Sequence, residues 1–92
     1  MSWSVGYTKD GAEPVVLDDN VQFGEGMHLL VEGARKAIYE AEQSESNDMY
    51  QLEMMLAVIL DINNDPGIMD DLDQWEDMDF FGPEVTYWIV EN

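Results

Sequence analysis

The carboxyl-terminal part of the chain combines a dense negative charge with many large apolar side chains. Residues 37–92 contain fifteen Asp and Glu and no Lys or Arg, whereas residues 1–36 contain six acids and three bases. Acidic tails are normally poor in large apolar residues, yet this half also holds Ile59, Trp75, Phe80, Tyr87 and Trp88. We therefore expect the acidic half to be folded rather than to trail as a disordered tail.

Length and composition restrict the architecture to one small core. The chain has 92 residues, a hydrophobic fraction of 46% and a formal net charge of -18. A chain of this length buries roughly 60–70% of the surface that its unfolded form exposes, so residues 1–92 are predicted to form a single domain. There is no cysteine, which excludes disulfides, thiolate zinc sites and a cysteine nucleophile.

Charge and hydropathy also restrict the location and the partners. The longest near-continuous apolar run, residues 54–60, is too short to span a membrane, and residues 1–5 lack the pattern of a secretory signal. With three bases against 21 acids, direct binding to nucleic acid or to an anionic membrane is disfavoured. We expect a cytoplasmic protein that contacts neither.

Strands are predicted where apolar residues alternate with small polar ones, or where β-branched and aromatic residues dominate. These strands cover residues 3–7, 14–17 and 84–90. Lys9-Asp10-Gly11 supplies the turn between the first two strands. Residues 18–26, which are polar and contain two glycines, are expected to form an irregular connection.

Apolar residues at steps of three and four predict helices over residues 27–43 and 49–62. The second helix is apolar around most of its circumference, and we expect it to be the central core element. In the first helix, Lys36 lies four residues from both Glu32 and Glu40, which predicts ion pairs. A short third helix is expected over residues 70–79. The predicted class is therefore α+β: a small antiparallel sheet of about three strands, with two to three helices packed on one face.

The predicted third helix concentrates the negative charge. It places six carboxylates on about 15 Å of helix at about 1.5 Å per residue. One charge per roughly 2.5 Å lies between the spacing of a single nucleic-acid strand, about 3.4 Å, and that of duplex DNA, about 1.7 Å. Such a surface presents a phosphate-like field to a basic groove, and neighbouring aromatic side chains supply an apolar anchor.

The candidate partner-binding residues share this acidic character or flank it. They are Asp61, Asp65, Asp70, Asp71, Asp73, Trp75, Glu76, Asp77, Asp79 and Phe81. Glu40, Glu42 and Glu45 are candidates for a second acidic patch if the first helix lies alongside.

In composition and charge layout, the acidic half resembles the DNA-mimic proteins that phages use against restriction, CRISPR and other nucleic-acid-handling enzymes. The resemblance implies a stoichiometric inhibitor without catalysis or cofactor, acting in the host cytoplasm. Its implied partner is a basic nucleic-acid-binding protein, such as a nuclease or a CRISPR or restriction component. The alternative for the same charge is a solvated acidic face that keeps the protein soluble.

A calcium-binding loop over residues 61–73 is an alternative function. Oxygen ligands occupy the first, third and fifth positions of an EF-hand-like loop directly after a predicted helix. Pro66 stands where the loop requires glycine, and treating it as an inserted residue aligns the later ligands. The candidate calcium ligands are Asp61, Asn63, Asp65, Asp70 and Asp73.

Enzymatic chemistry has little support in the sequence. His28 is the only histidine, and no nucleophile motif or glycine-rich phosphate loop accompanies it. We expect no catalytic activity. A structural or assembly role is the remaining alternative, with a homodimer covering the methionine-rich second helix.

Overall fold

The structure, a computed structural model, describes residues 2–64 and 77–92. Its elements are, in chain order, β1 (Trp3–Lys9), β2 (Val15–Val21), α1 (Phe23–Gln43), α2 (Met49–Asn63), β3 (Met78–Gly82) and β4 (Val85–Glu91). The strands form an antiparallel sheet in the order β2-β1-β4-β3. The α+β class is confirmed, with four strands in the described residues where the sequence predicts about three.

The helices cover one face of the sheet. Alternation along β1 and β4 directs Trp3, Val5, Tyr87 and Ile89 to that face, where they join the helices in one buried cluster. On the opposite face of the sheet, the Trp88 ring packs across Gly6. A Cβ at Gly6 would come within 2.6 Å of that ring and 2.1 Å of the Val15 carbonyl oxygen, so this close packing requires glycine.

The central helix is α1, and the prediction that α2 would be the central core element is wrong. α1 contacts β1, β2, β4 and α2, whereas α2 packs mainly against α1 and β3. α2 buries one face through Leu52, Met55 and Ile59. Its opposite face leaves Met54 and Val58 more than half exposed.

Strand β2 and helix α1 both extend into residues 18–26, where the sequence predicts an irregular connection. β2 continues through Val21, and α1 begins at Phe23 rather than at residue 27. Gly26 is buried against the sheet, where a Cβ would lie 2.8 Å from Val5 and 2.9 Å from Ile89. The glycine that weakens the helix signal locally is therefore the residue that lets α1 approach the sheet closely.

The predicted helix over residues 70–79 is wrong at its carboxyl-terminal end. Met78 and Asp79 belong to strand β3, and Asp77 immediately precedes that strand. Residues 70–76 lie outside the described residues. The predicted closing strand is confirmed as β4, and it forms a hairpin with β3 through Pro83 and Glu84. Neither α1 nor α2 has the length and apolarity that crossing a membrane demands.

Candidate binding surface

Four of the predicted partner-binding residues lie in the described part of the chain. Asp61 is exposed in the last turn of α2, Asp77 and Asp79 are exposed at and near the start of β3, and Phe81 lies on β3 with 76% of its surface exposed. The remaining predicted residues lie outside the described residues. They are Asp65, Asp70, Asp71, Asp73, Trp75 and Glu76.

The strand conformation of β3 changes how its charges are spaced. Successive residues of a strand rise about 3.3 Å and point to opposite faces, whereas the sequence predicts a helical rise of about 1.5 Å with a continuous acidic strip. Asp79 and Phe81 consequently share the sheet face that the helices do not cover, while Phe80 points to the helices and is buried.

Asp77 is positioned by the neighbouring strand. Its Oδ1 accepts a hydrogen bond of 2.8 Å from the backbone N–H of Glu91 at the end of β4. This contact gives Asp77 a structural role as well as a negative charge at the surface.

A groove of about 480 Å³ lies along the outer side of the contact between α2 and β3. One wall is made by Gln51, Met54, Met55 and Val58, and the other by residues 79–82. Met54 and Val58 are 54% and 51% exposed, so the wall from α2 is an apolar surface left open to solvent. The sequence places Phe81 in the binding surface but assigns Met54 and Val58 to a buried helix, because their exposure depends on how α2 packs.

The negative charge of the described residues is not neutralised by the bases of the chain. No charged side chain in residues 2–64 and 77–92 is buried. Within these ranges, the close contact between a basic side chain and a carboxylate is His28 Nε2 to Glu32 Oε1 at 3.1 Å, which is an ion pair only when the histidine is protonated. Lys36 pairs within 4 Å with neither Glu32 nor Glu40, so the ion pairs expected in α1 do not form.

Two of the three bases, Lys9 and Lys36, do not line the groove between α2 and β3. Lys9 and Lys36 line a second depression, of about 280 Å³, between α1 and the sheet. Glu40 of the predicted second acidic patch borders the same depression. Glu42 and Glu45 are exposed at and just beyond the end of α1.

The candidate calcium ligands are only partly within the described residues. α2 continues through Asn63, so Asp61 and Asn63 both lie in its last turn. The part of the chain that the structure describes contains no group of three or more His, Cys, Asp or Glu side chains arranged to hold a metal ion. Asp65, Asp70 and Asp73 lie outside it, and calcium binding stays a prediction.

No family model matches the sequence, and no curated protein or solved structure shows significant similarity to it.

Proposed function

We propose that this protein is a non-enzymatic inhibitor or regulator that presents its acidic surface to the basic groove of a nucleic-acid-binding protein. The partner class is a nuclease, or a CRISPR or restriction component, and the mode is DNA mimicry of the kind that phages direct against such proteins in the host cytoplasm. The observation that carries the proposal is that the described carboxylates lie at the surface and, apart from Glu32 beside His28, none lies within 4 Å of a basic side chain.

An unneutralised acidic surface provides what a basic nucleic-acid site recognises. Lys and Arg in such a site bind phosphates through charge, and most of that attraction is independent of sequence. A partner with complementary charge is also guided toward the acidic surface during diffusion. Binding should therefore weaken steeply with salt and compete with nucleic acid.

The ends of both helices support a functional reason for the charge. A helix carboxyl terminus carries a partial negative charge and is stabilised by nearby bases. The last turns of α1 and α2 contain no base, while Glu42 and Asp61 place carboxylates there. This arrangement is unfavourable for stability, which is expected where charge serves binding rather than folding.

The experiment is a pull-down with the tagged protein from bacterial lysate, with elution by rising salt or by duplex DNA. We expect a basic nuclease or a CRISPR or restriction component to be retained at low salt and released by added DNA. A variant with Asp61, Asp70, Asp73 and Asp79 changed to Asn should lose this capture, because it removes charge from the predicted surface.

The matched control changes the same number of acids elsewhere. Glu13→Gln, Asp18→Asn, Asp19→Asn and Glu25→Gln remove equal charge from residues 1–36, and Asn at position 18 keeps the Oδ1 acceptor that binds the Asn20 N–H. The control should retain the partner. Equal capture by both variants, or a partner that DNA does not displace, contradicts the proposal.

A further inference from the structure

β3 lies at one edge of the sheet that the described residues form. It pairs with β4 in continuous register from Met78 to Gly82, and with no second strand in the described residues. The other edge strand, β2, pairs with β1 through an irregular register around Val5 and Gly6. Alternate residues of an edge strand direct N–H and C=O groups outward, where another chain can pair with them. A regular edge is the better template for such pairing.

The groove along β3 has the shape that an added strand requires. α2 runs beside the edge, and Met54 and Val58 form an apolar wall facing residues 79–82. A strand laid against β3 would bury alternate side chains against this wall, since successive side chains point to opposite faces. Its other side chains would lie beside Asp79 and Phe81 on the uncovered face of the sheet.

The negative charge at the groove favours a basic segment as the bound chain. Asp79 is exposed and lies in the wall formed by β3. A strand with alternating basic and apolar residues that directs its apolar side chains to the wall from α2 would place a basic side chain beside Asp79, a favourable cross-strand pairing. A second copy of this chain would instead bring another net charge of -18 to the groove.

We propose that the groove between α2 and β3 binds an extended segment of the basic partner protein, which adds to the edge of β3 as a fifth strand. Backbone hydrogen bonds to β3 supply affinity, the apolar wall receives alternate side chains, and Asp79 favours Lys or Arg among the others. This inference rests on the proposed function for the basic character of the partner. It adds the binding site and the conformation of the bound segment.

The test uses a fluorescently labelled peptide of alternating Lys and Val, with binding followed by anisotropy at about 50 mM NaCl, where surface charges are only partly screened. A second peptide replaces each Val by Ser, and a third carries N-methyl groups on alternate amides. The Ser peptide loses the burial of its apolar side chains, and the N-methylated peptide loses two or more backbone hydrogen bonds. Each change should weaken binding about tenfold or more. Both peptides are tested against the unaltered protein.

Two protein variants distinguish peptide binding in the groove from general electrostatic attraction to the acidic surface. Val58→Glu places a carboxylate in the apolar wall, while Val16→Glu makes the same change on β2 at a residue of similar exposure, 55% against 51%. Both add negative charge, so simple attraction predicts slightly tighter binding of the Lys–Val peptide by each. Strand addition predicts that Val58→Glu weakens binding about tenfold and that Val16→Glu does not.

The outcomes distinguish this inference from the proposed function. If all three peptides bind equally in a salt-dependent manner and both variants behave alike, strand addition is wrong and the acidic-surface proposal stands. If no peptide binds even at low salt, the attraction to basic partners itself fails. Peptide binding that occurs only with a concentration-dependent dimer of the protein would assign the groove to a second copy and overturn the inference.

Discussion

The Tyr87 side chain connects the sheet to the central helix. Its hydroxyl donates a hydrogen bond of 3.1 Å to the carbonyl oxygen of Gly33 in α1, and its ring packs beside Tyr7 on β1. Burial raises the pKa of Tyr87 above its usual value, and the neighbouring Tyr7 and Glu40 raise it further. The folded protein therefore favours the neutral phenol, which is the form that donates this hydrogen bond.

This raised pKa predicts a loss of stability at alkaline pH. Because the unfolded tyrosine ionises near pH 10, the contribution of Tyr87 is complete below about pH 10 and is lost as the pH rises through the higher folded pKa. Tyr87→Phe should cost about 1 kcal/mol at neutral pH through the lost hydrogen bond and should flatten the alkaline decline. Urea unfolding across this pH range measures both effects.

Tyr50→Phe is the matched control for this experiment. Tyr50 lies on α2 with 70% of its surface exposed, so the same chemical change should leave both stability and its alkaline slope nearly unchanged. An equal decline in the Tyr87→Phe variant and the parent would assign the alkaline loss to other groups.

At the scale of the elements, the sequence predicts the strands and helices whose apolar side chains recur with a regular period. The side chains of β1 and β4 alternate between core and solvent, and α1 and α2 have helical spacing, so all four are predicted, although α1 begins four residues earlier than expected. Residues 18–20 of β2 are Asp, Asp and Asn on an exposed edge, where strand pairing overrides a low β-propensity. β3 is missed because its hairpin turn places Glu84 at a φ of 63°. This backbone conformation is uncommon for glutamate, so the sequence does not indicate a turn there.

The candidate site is predictable only in its chemistry. The sequence identifies Asp61, Asp79 and Phe81 from charge and aromatic character, without knowledge of their neighbours. The apolar wall at Met54 and Val58 arises because α2 directs its other face to α1 and β3. Helical periodicity cannot reveal such a wall when the apolar residues surround the helix on most sides.

The two ends of α1 predict opposite effects of removing a carboxylate. Glu25 lies in the first turn, where a negative charge complements the helix dipole, whereas Glu42 lies in the last turn, where it opposes the dipole. Glu42→Gln should stabilise the protein by about 0.5 kcal/mol and Glu25→Gln should destabilise it by about as much. Both residues are exposed, and each substitution removes one negative charge.

Thermal unfolding at low ionic strength measures the two variants side by side. Relief of general repulsion would stabilise both, so their difference isolates the dipole contribution from the overall charge. Equal stabilisation by the two substitutions would contradict the argument that carboxylates at the helix carboxyl termini carry a local cost.

At the scale of the whole molecule, the dominant property is self-repulsion. A net charge of -18 on a body measuring 41 × 28 × 15 Å places many carboxylates within about 10 Å of one another, the screening length at 0.1 M salt. Compact folding brings these charges closer than they are in the unfolded chain, which lowers stability. A basic partner that neutralises the surface should therefore stabilise the fold as it binds.

Added salt should reproduce part of that stabilisation without a partner. Raising NaCl from about 0.01 M to about 0.5 M shortens the screening length from about 30 Å to less than 8 Å. If this relieves on the order of 1 kcal/mol of repulsion, the melting temperature of a chain this size rises by about 5 °C.

Changing Glu40, Glu42 and Glu45 to Gln should raise the melting temperature at low salt and reduce its rise with NaCl, because less repulsion remains to be screened. A melting temperature that does not depend on NaCl in the parent would mean that the exposed carboxylates do not oppose folding, and the energetic argument for a charge maintained for binding would then be lost.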